Sequence, residues 1–136
     1  MQFHAGRLLD HVHINVADLD RSAKFYAAVL EALELPPGNL SSYGFQADEL
    51  YISLPGEGQK HSHVHIAFQA RDEAMVKRFY AAALAAGGTD NGGPGERSYH
   101  PGYYAAFVLD PDGNNIEAVI HGPEKRSAPS VIREPL

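Results

Sequence analysis

The 136-residue chain is 44% apolar and 21% charged, enough to fill one core of ordinary domain size. Its formal net charge of −6 argues against a broad nucleic-acid-binding face, and the absence of cysteine excludes disulfides and thiolate-held zinc. No apolar run reaches the roughly 18 residues of a membrane span, and Met1 to Leu9 lacks the apolar stretch of a secretion signal, so a cytoplasmic protein is expected.

The first expected element is a strand opening at His11. Val12, Ile14 and Val16 alternate with His11, His13 and Asn15, which puts the apolar set on one face and the histidines on the other. A helix follows, with Asp18 as its N-cap and Leu19, Ala23, Tyr26, Leu30 and Leu33 recurring at 3–4 spacing. Pro36-Pro37-Gly38 stops it. Strand-like runs cover Tyr43 to Ala47 and Leu50 to Leu54. A second strand-and-helix unit then begins at His65. Ile66, Phe68 and Ala70 alternate with His65, Ala67 and Gln69; Asp72 caps a helix carrying Val76, Phe79, Tyr80, Ala83 and Leu84; Gly87-Gly88 ends it. The stretch from Gly87 to Gly102 reads as a long mobile loop. Strands are expected over Tyr103 to Leu109 and Asn115 to Ile120, joined by the turn Asp110-Pro111-Asp112-Gly113-Asn114. From His121 the chain reads as an irregular tail.

The two units are copies. HVHINVADLDRSAKFYAAVL and HIAFQARDEAMVKRFYAAAL align without a gap at an offset of 54 residues, matching His11 to His65, Asp18 to Asp72 and Phe25-Tyr26-Ala27-Ala28 to Phe79-Tyr80-Ala81-Ala82. A β-α-β-β-β unit is therefore used twice. Module one covers about residues 8–55 and module two about 62–121, within one domain that ends in a tail over 122–136.

His11 and His65 hold equivalent places on the faces turned away from the helices. Glu117 lies in an apolar strand, on the face opposite Ile116 and Ala118; a carboxylate there is costly unless paired or metal-bound. Two imidazoles and a carboxylate form a facial set that leaves positions open on a divalent ion. Such an ion would act as a Lewis acid on a substrate chelating through two oxygens. The bland alternatives are a structural or surface histidine and a solvated edge glutamate. His13 and His63 share the histidine faces, and the ungapped repeat selects His65 over His63. His13 is read as a pocket-lining residue. The polar aromatic run from Arg97 to Tyr104 suits a pocket wall or ordinary loop decoration. No dinucleotide or phosphate-binding loop and no serine nucleophile elbow is present.

Asp10-His11-Val12-His13-Ile14-Asn15-Val16-Ala17-Asp18, followed by Ser22 and Phe25-Tyr26, resembles the opening of vicinal oxygen chelate proteins, the glyoxalase/bleomycin resistance/dioxygenase family. His65-Ile66-Ala67-Phe68 resembles the start of their second module, and Asp110 to Asn114 with Ile116-Glu117 their closing motif. The resemblance spans about residues 8–121. It implies an α+β fold of two tandem β-α-β-β-β modules in a cupped, barrel-like mixed sheet, helices outside. It also implies a homodimer and one divalent metal ion (nickel, manganese, iron, cobalt or zinc) held by His11, His65 and Glu117. Glyoxalase I proteins add a fourth ligand on the last strand of module one, where this chain is read as having Ser53. That departure argues against lactoylglutathione lyase activity.

The expected function is thus a metal-dependent enzyme acting on a small oxygen-chelating substrate, of lyase, dioxygenase or thiol-transferase type. Glu117, His13, His100 and Tyr103 are its candidate catalytic residues, and Tyr51 a candidate substrate contact. The alternative is a non-catalytic drug-binding protein of the bleomycin-resistance kind, and a third possibility is a domain with a vestigial site.

Overall fold

The computed structural model describes residues 1–6 and 8–136. Both expected helices are present. Helix α1 runs Leu19–Ala32 and α2 runs Glu73–Ala85. Each starts where an aspartate supplies the acceptor that the first turn lacks: Asp18 accepts from the Arg21 N–H at 3.0 Å, and Asp72 from the Met75 N–H at 2.8 Å. The expected apolar faces are the buried ones, with Ala23, Tyr26, Leu30, Val76, Phe79 and Ala83 all in the core.

The strands form two mixed sheets. Strands β1 (Val12–Asn15), β2 (Asn39–Leu40), β3 (Phe45–Ala47) and β4 (Leu50–Ser53) lie in the order β1-β4-β3-β2, with β1 parallel to β4. Strands β5 (His65–Gln69), β6 (Thr89–Asp90), β7 (Gly95–Glu96), β8 (Tyr104–Leu109) and β9 (Asn115–Ile120) follow the order β5-β9-β8-β6, with β7 also on β8 and β5 parallel to β9. The α+β fold of two β-α-β-β-β modules is as the repeat predicts.

Three expectations need correction. The sheets are open cups and do not close into a barrel. Among the described residues, strand β1 pairs only with β4 and β5 only with β9, so the first strand of each module keeps a free edge. The linker covers only the end of the β1 edge, where Ser62 exchanges hydrogen bonds with Asn15. Second, β3 and β8 begin later than the apolar runs suggest. Tyr43 is taken into a turn closed by Ser41 N–H to the Gly44 carbonyl (2.9 Å), and Tyr103 into one closed by its N–H to the His100 carbonyl (3.2 Å). Third, the glycine-rich loop is strapped down: β6 pairs with Val108 and Leu109, and β7 with Tyr104 and Ala105.

The inner faces share one core. Ile14, Val16, Phe25, Tyr26, Val29, Ile52, Val76, Phe79, Val108, Ile116 and Ala118 are all buried within it, and α1 packs on α2, which in turn packs on β8 and β9. Gly88 is needed there, because a Cβ would sit 2.4 Å from the Val108 side chain and 2.8 Å from the Ala83 carbonyl. A buried polar clasp joins the modules. The Tyr26 hydroxyl donates to Asp110 Oδ2 at 2.5 Å, and Asp110 also accepts from the Asp112 and Asn114 N–H groups and the Asn114 amide. Burial first, and the Asp110 charge second, push the Tyr26 phenol far above its ordinary range, so it donates at every working pH. Asp112 receives the Ala17 N–H at 3.3 Å. The Asp110–Asn114 turn, with Gly113 at φ 90°, thereby locks the last hairpin of module two onto the start of α1.

Candidate functional site

The exposed face of β5 presents His65, Ala67 and Gln69, as the alternation predicts. Glu117 on β9 stands opposite Ala67 on one side and Phe107 on the other. The small Ala67 leaves room beside it, yet Glu117 is only 1% exposed. A carboxylate so buried needs a partner on each oxygen. Oε1 lies 2.8 Å from His65 Nε2, and Oε2 accepts a short hydrogen bond from the Tyr103 hydroxyl. Desolvation first, then the bond to Glu117, hold the Tyr103 phenol well above its ordinary value, so it stays a donor.

Tyr103 has its own frame. The rings of Tyr99, His100 and His121 all meet it edge-on, at centroid separations of 4.8, 5.4 and 5.2 Å. His100 Nδ1 donates to the Pro101 carbonyl at 2.9 Å, which makes Nε2 the acceptor of His121 Nδ1–H, also at 2.9 Å. His100 therefore reaches His121 and not Glu117. Sequence reading missed His121, although strand alternation from Glu117 through Val119 places it on the same face. It also missed Phe107, whose ring lies 6.0 Å from that of His65 and 5.3 Å beneath the Arg97 guanidinium.

Module one builds a separate half-site. His11 leads into β1, with Nδ1 2.7 Å from Asp10 Oδ1. That contact fixes the proton on Nδ1 and leaves Nε2 as the free lone pair, the arrangement typical of a metal-ligating histidine. The bond from His11, with the nearby Arg133 charge, holds the Asp10 carboxyl below its usual range. His13 Nε2 is 2.6 Å from Ser53 Oγ, whose hydroxyl donates on to the Leu54 carbonyl, so His13 is a donor here. His11, Tyr43, Tyr51 and Arg133 line a cavity of about 540 Å³.

The strand register also corrects the fourth-ligand position. Glu117 pairs with Ala67, two residues after His65; the equivalent residue after His11 is His13, and its partner is Tyr51. Tyr51, not Ser53, is thus the counterpart of Glu117, and its hydroxyl donates to the Tyr43 carbonyl at 3.0 Å.

His65 Nε2 and Glu117 Oε1 fit a metal as neighbouring ligands. Two donors each about 2.1 Å from an ion and at right angles around it stand roughly 3 Å apart. The third expected ligand is not with them. Among the described residues no three metal-ligating side chains cluster, because His11 sits on the other sheet. One chain thus brings together His65, Glu117 and Tyr103 in one group, and His11 with Asp10 in another.

A sequence model of the Glyoxalase/Bleomycin resistance protein/Dioxygenase superfamily matches residues 8–118. The chain belongs to this superfamily. Among solved structures, a glyoxalase/bleomycin resistance protein from Albidiferax ferrireducens is 34% identical, with a TM-score of 0.72 over 82% of this chain and 98% of that one. A glyoxalase-related enzyme from Fulvimarina pelagi, 20% identical, shares the fold with a TM-score of 0.61 over 83% and 87% of the two chains. A glyoxalase I variant from Zea mays, 24% identical, does so with a TM-score of 0.56 over 82% of this chain and 45% of its own length. The glyoxalase superfamily includes enzymes such as glyoxalase I, and its members commonly bind a divalent metal. No helix among the described residues of this member is long and apolar enough to cross a membrane.

Proposed function

We propose that this glyoxalase-superfamily protein is a metal-dependent enzyme acting on a small substrate that chelates through two oxygens. His65 and Glu117 of one chain and His11 of a second copy would hold the ion. The observation that carries this reading is the buried Glu117 carboxylate set 2.8 Å from His65, while an Asp10-oriented His11 lines an open cavity beside the other sheet and forms no three-ligand group among the described residues. Each half-site lies on its own cup beside a free strand edge, β1 or β5. A homodimer that joins the cup of module one to that of module two completes the ligand set twice, as twofold symmetry requires.

When bound, the ion supplies Lewis acidity to the substrate oxygens. The chain's own groups do the rest. Tyr103 donates to Oε2 and so keeps Oε1 turned toward His65. His65, as a neutral imidazole with its proton on Nδ1, would offer its Nε2 lone pair to the ion. His13 and Tyr51, their rings tilted by 48° with centroids 4.8 Å apart, form a polar wall on the module-one side for substrate contact or proton transfer. His100 with His121 backs Tyr103 on the other side.

The test is metal content followed by complementation. Wild-type protein should hold about one ion per chain, and His11→Ala, His65→Ala and Glu117→Ala none. Co-expressing His11→Ala with His65→Ala should restore about a quarter of the wild-type content, since half the dimers are mixed and each of these has one intact site. No restoration would refute a shared site. Absence of metal from reconstituted wild type would overturn the enzyme reading and favour a metal-free binding protein.

A further inference from the structure

The superfamily assignment leaves the chemistry of the substrate open, and the cup of module two constrains it. A cavity of about 310 Å³ opens beside His65, lined by Asn91, Gly92, Arg97, Tyr99, Phe107 and Asn115. Two of its walls adjoin the metal half-site. Asn115 is the ladder partner of His65, and Phe107 that of Glu117, and cross-strand partners lie on one face.

Arg97 dominates this cavity. Of the six described arginines, Arg21, Arg71, Arg78, Arg126 and Arg133 each have a carboxylate within 4 Å; Arg97 has none. Its position is nevertheless fixed. Nη1 donates to the Gly95 and Glu96 carbonyls at 2.9 and 3.3 Å, Nη2 to the Gly93 carbonyl at 2.7 Å, and the guanidinium lies over Phe107. Three of the five N–H groups of a guanidinium are thus used on backbone. The Nε–H and one Nη2–H remain, a pair suited to the two oxygens of a carboxylate. Asn115 adds to the donor character: it lines the cavity, its Oδ1 accepts from the Asn91 amide at 3.1 Å, and its own NH₂ has no acceptor among the described residues. An uncompensated, immobilised cation among free donors, in a chain of net charge −6, is an anion site.

We propose that the ligand of this protein carries a carboxylate that Arg97 binds on its free Nε/Nη2 donors, next to the His65–Glu117 half-site. The substrate class becomes an oxygen chelator with a carboxylate arm. That last step rests on the metal-enzyme reading above; the carboxylate site itself does not.

Metal-stripped protein and two probes of one shape separate the two. Benzoate and benzamide differ mainly in charge. Calorimetric titration should show wild type binding benzoate about tenfold more tightly than benzamide, through one charge-assisted pair. Arg97→Gln should abolish the preference and Arg97→Lys should retain only part of it, having the charge without the fork. His65→Ala should lose metal and keep the preference, so the metal reading and the carboxylate site fail independently. Because Arg97→Gln frees three loop carbonyls, a second measurement needs no variant: benzoate should shift the amide resonances of Gly92, Gly93 and Gly95 in labelled wild type. Equal affinity for both probes, undetectable benzoate binding, a preference that survives Arg97→Gln, or shifts confined elsewhere would each overturn the proposal.

Discussion

Glu117 shows how one residue carries both cost and purpose. Its carboxylate is stripped of water by the sheet, and two side chains offset that loss, one on each oxygen. Of the two, Tyr103 is the orienting partner, since a metal ion would take over the place of the His65 proton and leave the tyrosine bond intact. Tyr103→Phe should therefore lower metal affinity about 10- to 100-fold, the usual effect of losing a group that orients a ligand, without changing the far-ultraviolet circular dichroism. Competition with a chelator measures it, and an unchanged affinity would remove Tyr103 from the site. At this scale the sequence was informative where alternation and repetition act together: His65 and Glu117 lie on the faces the pattern assigned, and His11 directly precedes β1. It was silent on Tyr103 as the partner of Glu117, because that contact depends on a turn outside the strand. The fourth position was misread as Ser53 for a similar reason. The repeat is ungapped only through the helices, and beyond them register is fixed by strand pairing, which no local pattern encodes.

At the scale of elements, the helices were the most legible parts. Capping aspartate, apolar period and glycine or proline stop agree in both copies, so local preference and tertiary packing select the same segments. The glycine-rich segment after α2 was least legible. Strands of two residues have no period to detect, and β6 and β7 exist only because β8 offers its edge. The caps also have a titration signature. Asp72 is held below its ordinary pKa of 3.8, chiefly by the Met75 N–H bond. A carboxyl with a depressed folded-state pKa contributes stability above its unfolded value and loses it as pH falls through the folded one. The contribution of α2's cap should therefore be full above about pH 4 and fade below it. Asp72→Asn retains a capping oxygen but does not titrate. Urea unfolding of this variant should show a shallower loss of stability on acidification than wild type. Parallel acid limbs would mean that the cap bond is weak in solution.

At the scale of the whole molecule, the arrangement of the cups links metal binding to association. The helices and the Tyr26–Asp110 clasp hold the two modules of one chain together through their backs, so the histidine faces look outward. An ion that draws His65 and Glu117 from one copy and His11 from another is a crosslink, and by linkage it must tighten the dimer as much as the dimer tightens it. Removing the metal with a chelator should raise the dimer dissociation constant seen by sedimentation, and diluting the protein should weaken its apparent metal affinity. His11→Ala should abolish the metal effect on association while leaving each chain folded, because His11 is exposed and outside the core. His65→Ala should do the same from the other side. A metal affinity independent of protein concentration would place all ligands within one chain. That would require the modules to rearrange until β1 and β5 share an edge, breaking the Tyr26–Asp110 clasp. Tyr26→Phe would then raise metal affinity by loosening the clasp, whereas in the shared-site dimer it should only lower stability, by about 1–3 kcal/mol for a buried hydrogen bond lost.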